Sequence, residues 1–456
     1  MEKEPTKDMT VGPPMPIILS FMLPLLLGLL FQQFYSMVDT VVVGNFLGME
    51  ALAGVGSTGS ISFLVLGLCN GVCAGFAIPV AQKFGEKDTQ GLRNFVGNMI
   101  WLGSGIAAIV TLATTVGCAD ILRAMNTPED TFSYAYDYIF LIFLGIPATM
   151  LYNLLSGILR SLGDSRTPLF FLIFSSLLNV ALDIVCVVTL QMGVAGAGWA
   201  TLISQLISGL LCLLYMDRKF PILHLKRENL VWRGHCVRRL LIMGLPMGLQ
   251  YSITAIGSIL LQTAVNGLGA VSMAAVAASG KVTGLFASPY DAMGTMAATY
   301  AGQNLGAGKL DRVHHGVKDC CILGVAYSLA ALVVMYFLGA QMTALFLDSK
   351  DVASSAQILP LARQLLVTNA AFYIPLLGVN LFRFTIQGLG YSNLAVIAGV
   401  SEMIARGAVA ALVSVFGFTA VCYASPAAWV LADCFLLPAY FVCMKRRTKE
   451  AAAARE

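Results

Sequence analysis

The sequence is poor in charged residues and in histidine. Only 11% of its 456 residues are charged and four are histidine, whereas 58% are hydrophobic. Soluble globular chains carry about 25% charged and roughly 45–50% apolar residues, and no soluble fold could bury the apolar excess found here. The scarcity of charge therefore excludes an ordinary soluble domain and indicates a membrane protein.

Motifs for catalysis, metal binding and nucleotide binding are also missing. The histidines lie in loops or at the edges of apolar runs, and most of the 11 cysteines lie inside those runs, in no metal-ligand spacing. No glycine-rich phosphate loop and no nucleophile beside a base is found. We expect no enzyme activity, no cofactor, no nucleic-acid partner and no metal beyond a coupling Na⁺.

What the sequence has instead is a series of long apolar runs. They are apolar at nearly every residue, which argues for helices and against the alternating strands of a transmembrane barrel. A span needs about 20 such residues to cross a roughly 30 Å hydrocarbon core, so the length leaves room for about twelve. The predicted spans are 16–42, 52–80, 95–117, 133–158, 168–189, 196–216, 240–265, 272–302, 319–340, 359–386, 393–416 and 423–443.

The basic residues are distributed unequally between the two sides of the membrane. Of the 28 lysines and arginines, 22 fall on one set of loops and termini, including the 217–239 connection and the tail, and Arg123, Lys350 and Arg363 fall on the other. Because basic loops stay in the cytoplasm, we expect a multi-pass membrane protein with both termini cytoplasmic; the bacterial cytoplasmic (inner) membrane is the location that the family resemblance described below implies.

An internal repeat divides the chain. A shift of 221 residues superposes Asn45, Gly48 and Gln82 on Asn266, Gly269 and Gln303, and a shift of 227 superposes 162–165 on 389–392. The repeat predicts an N-lobe at 1–216, a cytoplasmic linker at 217–239 and a C-lobe at 240–456 with a basic tail. Six spans per lobe predict an all-α membrane protein whose two six-helix bundles are related by a pseudo-two-fold axis along the membrane normal, with a central cavity as substrate path.

Polar residues inside the first-half spans are candidates for function, because charge at mid-bilayer costs roughly 2.5–3.5 kcal/mol on insertion scales. Asp39 lies in the first span, preceded on the same face by Gln32 and Tyr35 and, earlier, by Pro24. Pro24 removes a backbone donor and makes this helix easy to bend, so we expect a hinge there.

The fifth span carries a second acidic position. Asn179 and Asp183 are four residues apart, so they share a helix face and can offer oxygens to one ion or proton. Asn153 and Thr201 add neutral oxygens, although buried amides and hydroxyls often serve only as hydrogen bonds between helices. For Asn153 and Thr201 both interpretations stay open.

The second half carries a mixed set of charges within its spans. Its members are Lys281, Asp291, Arg383, Glu402 and Arg406. Glu402 and Arg406 are four residues apart in the favourable order, which predicts an ion pair within one helix. We therefore expect the charged residues of the C-lobe to be mainly structural.

The order of several short motifs resembles that of the multidrug and toxic compound extrusion (MATE) family over essentially the whole chain. The motifs are MVDTVVVGNFLGMEALAGVG at 37–56, RSLGDSRTP at 160–168, NVALD at 179–183, GAGWATLISQ at 196–205, AGQNLGAGK at 301–309 and IQGLGYSN at 386–393. The resemblance is nearest to the DinF-like branch.

The resemblance implies a twelve-helix antiporter that exports organic, often cationic, compounds in exchange for H⁺ or Na⁺. It implies that Asp39, Asn179, Asp183 and Thr201 handle the coupling cation, that Gln32, Tyr35 and Asn153 line the substrate cavity, and that Pro24 is the hinge. The sequence departs from the NorM-like branch, because it lacks acids on the seventh and tenth spans. We expect a monomer in the lipid bilayer with small-molecule drugs or toxic compounds as partners.

Two alternatives to multidrug efflux come from the same observations. A lipid-linked precursor flippase of the same superfamily would carry more spans, or several cationic residues in the cavity to hold a pyrophosphate, whereas the first-half spans here present acids. A membrane receptor without transport is disfavoured, since the chain has no sizeable soluble domain to carry a signal.

The charge asymmetry predicts the sidedness of two loops. Cysteines placed at Lys226 and Lys350, after replacement of the native cysteines, should react with an impermeant thiol reagent from opposite sides of the membrane. Equal labelling of both positions from outside the cell would contradict the predicted topology.

Overall fold

The computed structural model describes residues 6–125, 127–347 and 352–453. Lys3, Lys350 and Arg455, which contribute to the charge asymmetry, lie outside the described residues, and so does the side chain of Asp39. In the described ranges every regular element is helical. The α-helices are α1 (Pro14–Leu47), α2 (Met49–Ser57), α3 (Gly59–Gly85), α4 (Thr89–Val116), α5 (Cys118–Ala124), α6 (Glu129–Leu144), α7 (Ile146–Ser161), α8 (Arg166–Asp183), α9 (Val194–Lys219), α10 (Gly234–Asn266), α11 (Ala270–Gly306), α12 (Leu310–Ala344), α13 (Val352–Ala371), α14 (Tyr373–Gly388), α15 (Ser392–Phe416) and α16 (Phe418–Ala453).

The number of membrane spans agrees with the expectation of about a dozen. Among the described residues, ten helices are long and apolar enough to cross a bilayer, and twelve spans result if each of two bent helix pairs counts as one. Each predicted span overlaps one of these helices or pairs. The prediction of an all-α membrane protein is therefore confirmed.

Two predicted spans are not straight helices. Within 133–158 the chain bends by 45° between α6 and α7, and within 359–386 it bends by 52° between α13 and α14. Pro147 and Pro375 stand in the first turn of the second helix of each pair, where a missing N–H is tolerated, but they cannot continue a preceding helix. Proline thus sets both breaks.

The chain forms two compact units. The first comprises Met1–Val11 and Leu23–Leu249, and the second comprises Gly12–Met22 and Gln250–Glu456. The division falls inside α1, next to Pro24, and inside α10, shortly after Pro246. We call these units the N-unit and the C-unit.

Close helix packing in the N-unit depends on small residues. A Cβ atom added at Gly75 of α3 would lie 2.5 Å from the Cα atom of Gly244 in the first part of α10, so the two helices meet backbone to backbone. Around this contact, Phe76, Leu159 and Cys212 belong to one continuous buried apolar cluster. The N-unit core therefore extends from α3 through α7 and α9 to the start of α10.

The connection between α9 and α10 is an ordered strap held against α4. The amide of Asn229 donates to Oδ1 of Asn94 over 2.9 Å, and Asn98 donates to the carbonyl of Val231 over 3.2 Å. Oδ1 of Asn98 also accepts from the backbone N–H of Arg233 over 2.9 Å. Side-chain amides of α4 thus satisfy backbone groups that a helix or sheet would otherwise pair.

Removing the Asn98 amide should release this strap. Asn98→Ala leaves the N–H of Arg233 and the carbonyl of Val231 without partners, at a cost of about 1–3 kcal/mol. We expect faster trypsin cleavage after Arg227 and Arg233 in the purified protein. Gln262→Ala, which removes an exposed amide bonded to Asn266, is the control, and equal cleavage of both variants would contradict the strap.

Candidate functional site

Three helices of the N-unit bring polar side chains together at Thr201. The amide of Asn179 on α8 donates to Oγ1 of Thr201 on α9 over 3.3 Å. The hydroxyl of Tyr35 on α1 lies 3.5 Å from the same oxygen. Thr201 in turn donates to the carbonyl of Ala197 over 3.1 Å. Three of the residues predicted for function therefore share one hydroxyl group.

Asp183 lies one helical turn after Asn179 and shares its face. The exposed fractions of Asp183 and Asn179 are 0% and 1%, whereas Leu177 on the opposite face is 67% exposed. Asp183 is the last residue of α8, and a π-helix, Ile184–Thr189, follows it directly. Single π-helical turns are rare and frequently occur at functional sites, because they re-aim the side chains around them.

The first-span candidates occupy the same unit. Asp39 lies in α1 one turn after Tyr35, but its side chain lies outside the described residues, so its part in the cluster at Thr201 stays a prediction. Gln32 is exposed two turns before Asp39. Pro24 lies within α1, which runs past it as one helix. The proposed hinge at Pro24 also stays a prediction.

Asn153 belongs to a second polar group, one that the sequence analysis did not assemble. Its amide donates to Oδ1 of Asn70 on α3 and to the carbonyl of Thr149 on α7, each over 2.9 Å. The hydroxyl of Thr149 donates to Oε1 of Gln205 on α9. Gln205 is four residues after Thr201, so one face of α9 serves both polar groups. The spacing of 149 to 153 and of 201 to 205 could have indicated this arrangement.

The C-unit has a different chemistry. One carboxylate oxygen of Glu402 on α15 accepts from Nη2 of Arg406 over 3.2 Å, which confirms the predicted pair within the helix. The other oxygen binds Nη2 of Arg383 on α14, a partner that the sequence analysis did not foresee. Asp433 on α16, which no local spacing singles out, is a further acid of this region, and Arg383 and Glu402 act on it electrostatically. Lys281 on α11 is exposed.

The described residues contain no group of three or more His, Cys, Asp or Glu side chains that could hold a metal ion. The oxygens at Thr201, Asn179 and Asp183 are hard donors, which suit a proton or Na⁺ rather than a transition metal. Ion chemistry in the N-unit would therefore rest on Asp183, a buried acid with neutral oxygen neighbours.

The pair of guanidiniums around Glu402 predicts a strong effect of its neutralisation. Glu402→Gln keeps the side-chain size but removes the negative charge between two buried cations, so we expect a loss of about 3–5 kcal/mol in stability. Thermal unfolding of the purified protein in detergent measures this loss.

An exposed copy of the same arrangement provides the control. Glu450 binds Arg446 and Arg447 near the chain end, over 3.1 and 2.7 Å, with all three side chains at least partly exposed. Glu450→Gln should change the unfolding temperature little, since surface ion pairs contribute about 0–1 kcal/mol. Equal shifts for both variants would show that burial does not strengthen the Glu402 pairs.

Comparisons with known proteins match this chain over most of its length. The MatE family model matches residues 24–185 and 246–418. The probable multidrug resistance protein YpnP of Bacillus subtilis is 28% identical over 383 residues, which cover 84% of this chain and 83% of that protein. The DNA damage-inducible protein F of Escherichia coli is 28% identical over 226 residues, or 48% of each chain.

A solved structure of MATE in complex with MaL6 has the same fold. It superposes with a TM-score of 0.91 at 20% sequence identity and covers 98% of this chain and 100% of the other. This similarity confirms the fold class, a twelve-helix membrane protein of two helix bundles.

Proposed function

This chain belongs to the MATE family of transporters, and from that premise we propose that it is a secondary antiporter that exports drug-like compounds in exchange for H⁺ or Na⁺. Its curated relatives are named for multidrug resistance and export, which are transport activities rather than enzymatic ones. We place it in the bacterial cytoplasmic membrane, as a monomer with both termini in the cytoplasm.

The observation that carries the proposal is buried Asp183 of the N-unit with its neutral oxygen neighbours. Asp183 is 0% exposed and shares a face of α8 with Asn179. The amide of Asn179 bonds to Thr201 on α9, and the hydroxyl of Tyr35 on α1 lies beside the same threonine. An ionised carboxylate in this position is costly, so it gains from binding a proton or a small hard cation. Asp39, one turn after Tyr35, would supply a second negative charge.

Coupling requires that the ion and the drug favour different conformations. A bound proton or Na⁺ removes negative charge from Asp39 and Asp183, while a cationic drug gains from that charge when the ion is absent. Binding of one therefore disfavours the other at the same acids. Aromatic and methionine side chains would supply adaptable contacts to the drug, with Gln32, Tyr35 and Asn153 as polar contacts.

The distribution of cations argues against the flippase alternative. A pyrophosphate-carrying flippase needs several accessible basic residues, whereas Arg383 and Arg406 are 6% and 7% exposed and are both bonded to Glu402. Their charge is already used inside the C-unit. Lys281 on α11 is exposed, but it supplies a single charge. Export of small organic compounds is the function that these contacts favour.

Replacing both acids should abolish coupling without unfolding the protein. Asp39→Asn with Asp183→Asn keeps size and hydrogen bonding but removes both charges. In vesicles reconstituted with purified protein, we expect drug movement driven by an imposed gradient to fall to the level of empty vesicles. Separate H⁺ and Na⁺ gradients applied to the unaltered protein identify the coupling ion.

A matched control and a contrary result make the experiment decisive. Asp137→Asn changes an exposed acid in the middle of α6 in the same unit, not at the helix end that the sequence suggested, and should transport normally. If the double variant still exports along a gradient while a well-folded Asp291→Asn variant does not, the coupling site lies in the C-unit and the proposal is wrong.

A further inference from the structure

Four packed helices of the C-unit bring together five charged side chains, with the guanidinium of Arg383 among them. Helices α11, α15 and α16 each pack against α14, which carries Arg383. The charged residues are Asp291 on α11, Arg383 on α14, Glu402 and Arg406 on α15, and Asp433 on α16. We call this set the C-unit charge cluster.

The two guanidiniums of the cluster are tied to Glu402 and are still incompletely bonded. Arg383 and Arg406 are more than nine-tenths buried. Nε of Arg383 and Nη1 of Arg406 are buried and have no hydrogen-bond partner. A buried N–H without an acceptor is unfavourable, so each arginine has an unused donor for a further acceptor.

Asp433 is the acid placed to use such a donor. Its Oδ1 atom is buried and has no hydrogen-bond partner. Its other oxygen rests on the backbone of α14, where a Cβ atom added at Gly378 would lie 2.3 Å from Oδ2. Only glycine leaves room for the carboxyl group at that position. The site around Asp433 is therefore shaped by the fold.

Helices α12, α13, α14 and α15 pack against α16, the helix that carries Asp433. Arg383 of α14 and Glu402 of α15 act on it electrostatically. On α12, His314 faces Tyr440, and on α13, Arg363 lies over the ring of Tyr336. Within the described residues, the charges that bear on Asp433 are thus those of the cluster itself.

Counting charge shows that the cluster is neutral only with one added proton. Three acids face two guanidiniums, and an uncompensated charge inside a low-dielectric region is costly. Glu402 binds a guanidinium with each oxygen, so neither of its oxygens is left for the added proton. Asp291 is exposed at the surface of α11, whereas Asp433 is only partly exposed. Asp433 is the remaining acid, and it has a buried oxygen without a donor.

We infer that Asp433 is a proton-carrying residue of the C-unit, holding one proton in the neutral cluster and releasing it during the transport cycle. This inference rests on the proposed antiport function, and it adds an exchange site separate from Asp39 and Asp183. The seventh and tenth spans carry no acid, so neither supplies a residue to this proton exchange.

The chemical step is a simple proton transfer. The O–H bond of the Asp433 carboxyl breaks, the proton passes to water, and the electron pair stays on the carboxylate. The unused Nε–H of Arg383 then supplies a donor to that carboxylate. Arg383 would connect α14 to α16 as well as to α15 in the deprotonated state, so the helix contacts of the C-unit depend on the proton.

Infrared spectroscopy of purified protein in lipid vesicles tests the proton directly and does not require transport. The neutral form of Asp433 should give a carboxylic-acid C=O band that moves on exchange into D₂O and disappears as pH is raised. We expect Asp433→Asn to lose this band, and Asp311→Asn, an exposed acid at the start of α12, to retain it.

Two further variants keep the result interpretable. Gly378→Ala should shift the band without removing it, because the added methyl group displaces the Asp433 carboxyl. This variant still tests the assignment of the band if Asp433→Asn folds poorly. The Asp39→Asn, Asp183→Asn double variant should retain the Asp433 band. An unchanged spectrum in both Asp433→Asn and Gly378→Ala would overturn the inference.

Transport then relates the proton to the exchange. If a proton gradient drives export by the unaltered protein, Asp433→Asn should lower the number of protons exchanged per drug molecule by one. It should also flatten the pH dependence of export. Unchanged stoichiometry and pH dependence would overturn the exchange role. If the unaltered protein shows no gradient-driven export at all, the proposed function fails, while the infrared result still decides whether Asp433 holds a proton.

Discussion

The hydrocarbon interior of a bilayer offers no water to polar groups, so a polar side chain buried within these spans depends on partners in the protein. The N-unit meets this constraint with neutral groups: the amide of Asn179 bonds to Thr201, and the amide of Asn153 bonds to Asn70. The C-unit meets it with charge, since Glu402 binds the guanidiniums of Arg383 and Arg406. The same requirement thus yields two different kinds of polar interior.

Irregular helices occur where polar groups or prolines interrupt the apolar spans. The π-helix Ile184–Thr189 begins directly after buried Asp183, and the bends before α7 and α14 precede Pro147 and Pro375. Each irregularity frees or re-aims backbone groups that a continuous helix would pair. In α14, the bend is followed by Gly378, whose missing side chain makes room for Asp433. Helix geometry and the placement of charge are therefore linked within one helix.

Much of this architecture could be predicted from the sequence, because long apolar runs and short spacings act locally. The spans and the Glu402–Arg406 pair depend on neighbours within a few residues of each other. Other contacts depend on how separate helices pack. They are the bond from Arg383 to Glu402, the polar group from Asn70 to Gln205, and the contact of the Asp433 carboxyl with the backbone at Gly378. No spacing rule covers such contacts. Asp433 escaped attention because nothing polar precedes or follows it by one turn.

The contrast between the units has a physical consequence for ion exchange. An acid among neutral oxygens, such as Asp183, changes the net charge of its surroundings whenever it binds or loses an ion, so its occupancy is coupled strongly to a nearby charged ligand. An acid beside a buried arginine gains a hydrogen bond from that arginine when it loses its proton, so its main effect is to redistribute the bonds of that arginine. The first arrangement suits competition with a cationic drug, and the second suits control of helix packing. A transporter with both would use the N-unit acids to select what is bound. It would use the Asp433–Arg383 contact to make the packing of α14, α15 and α16 depend on protonation.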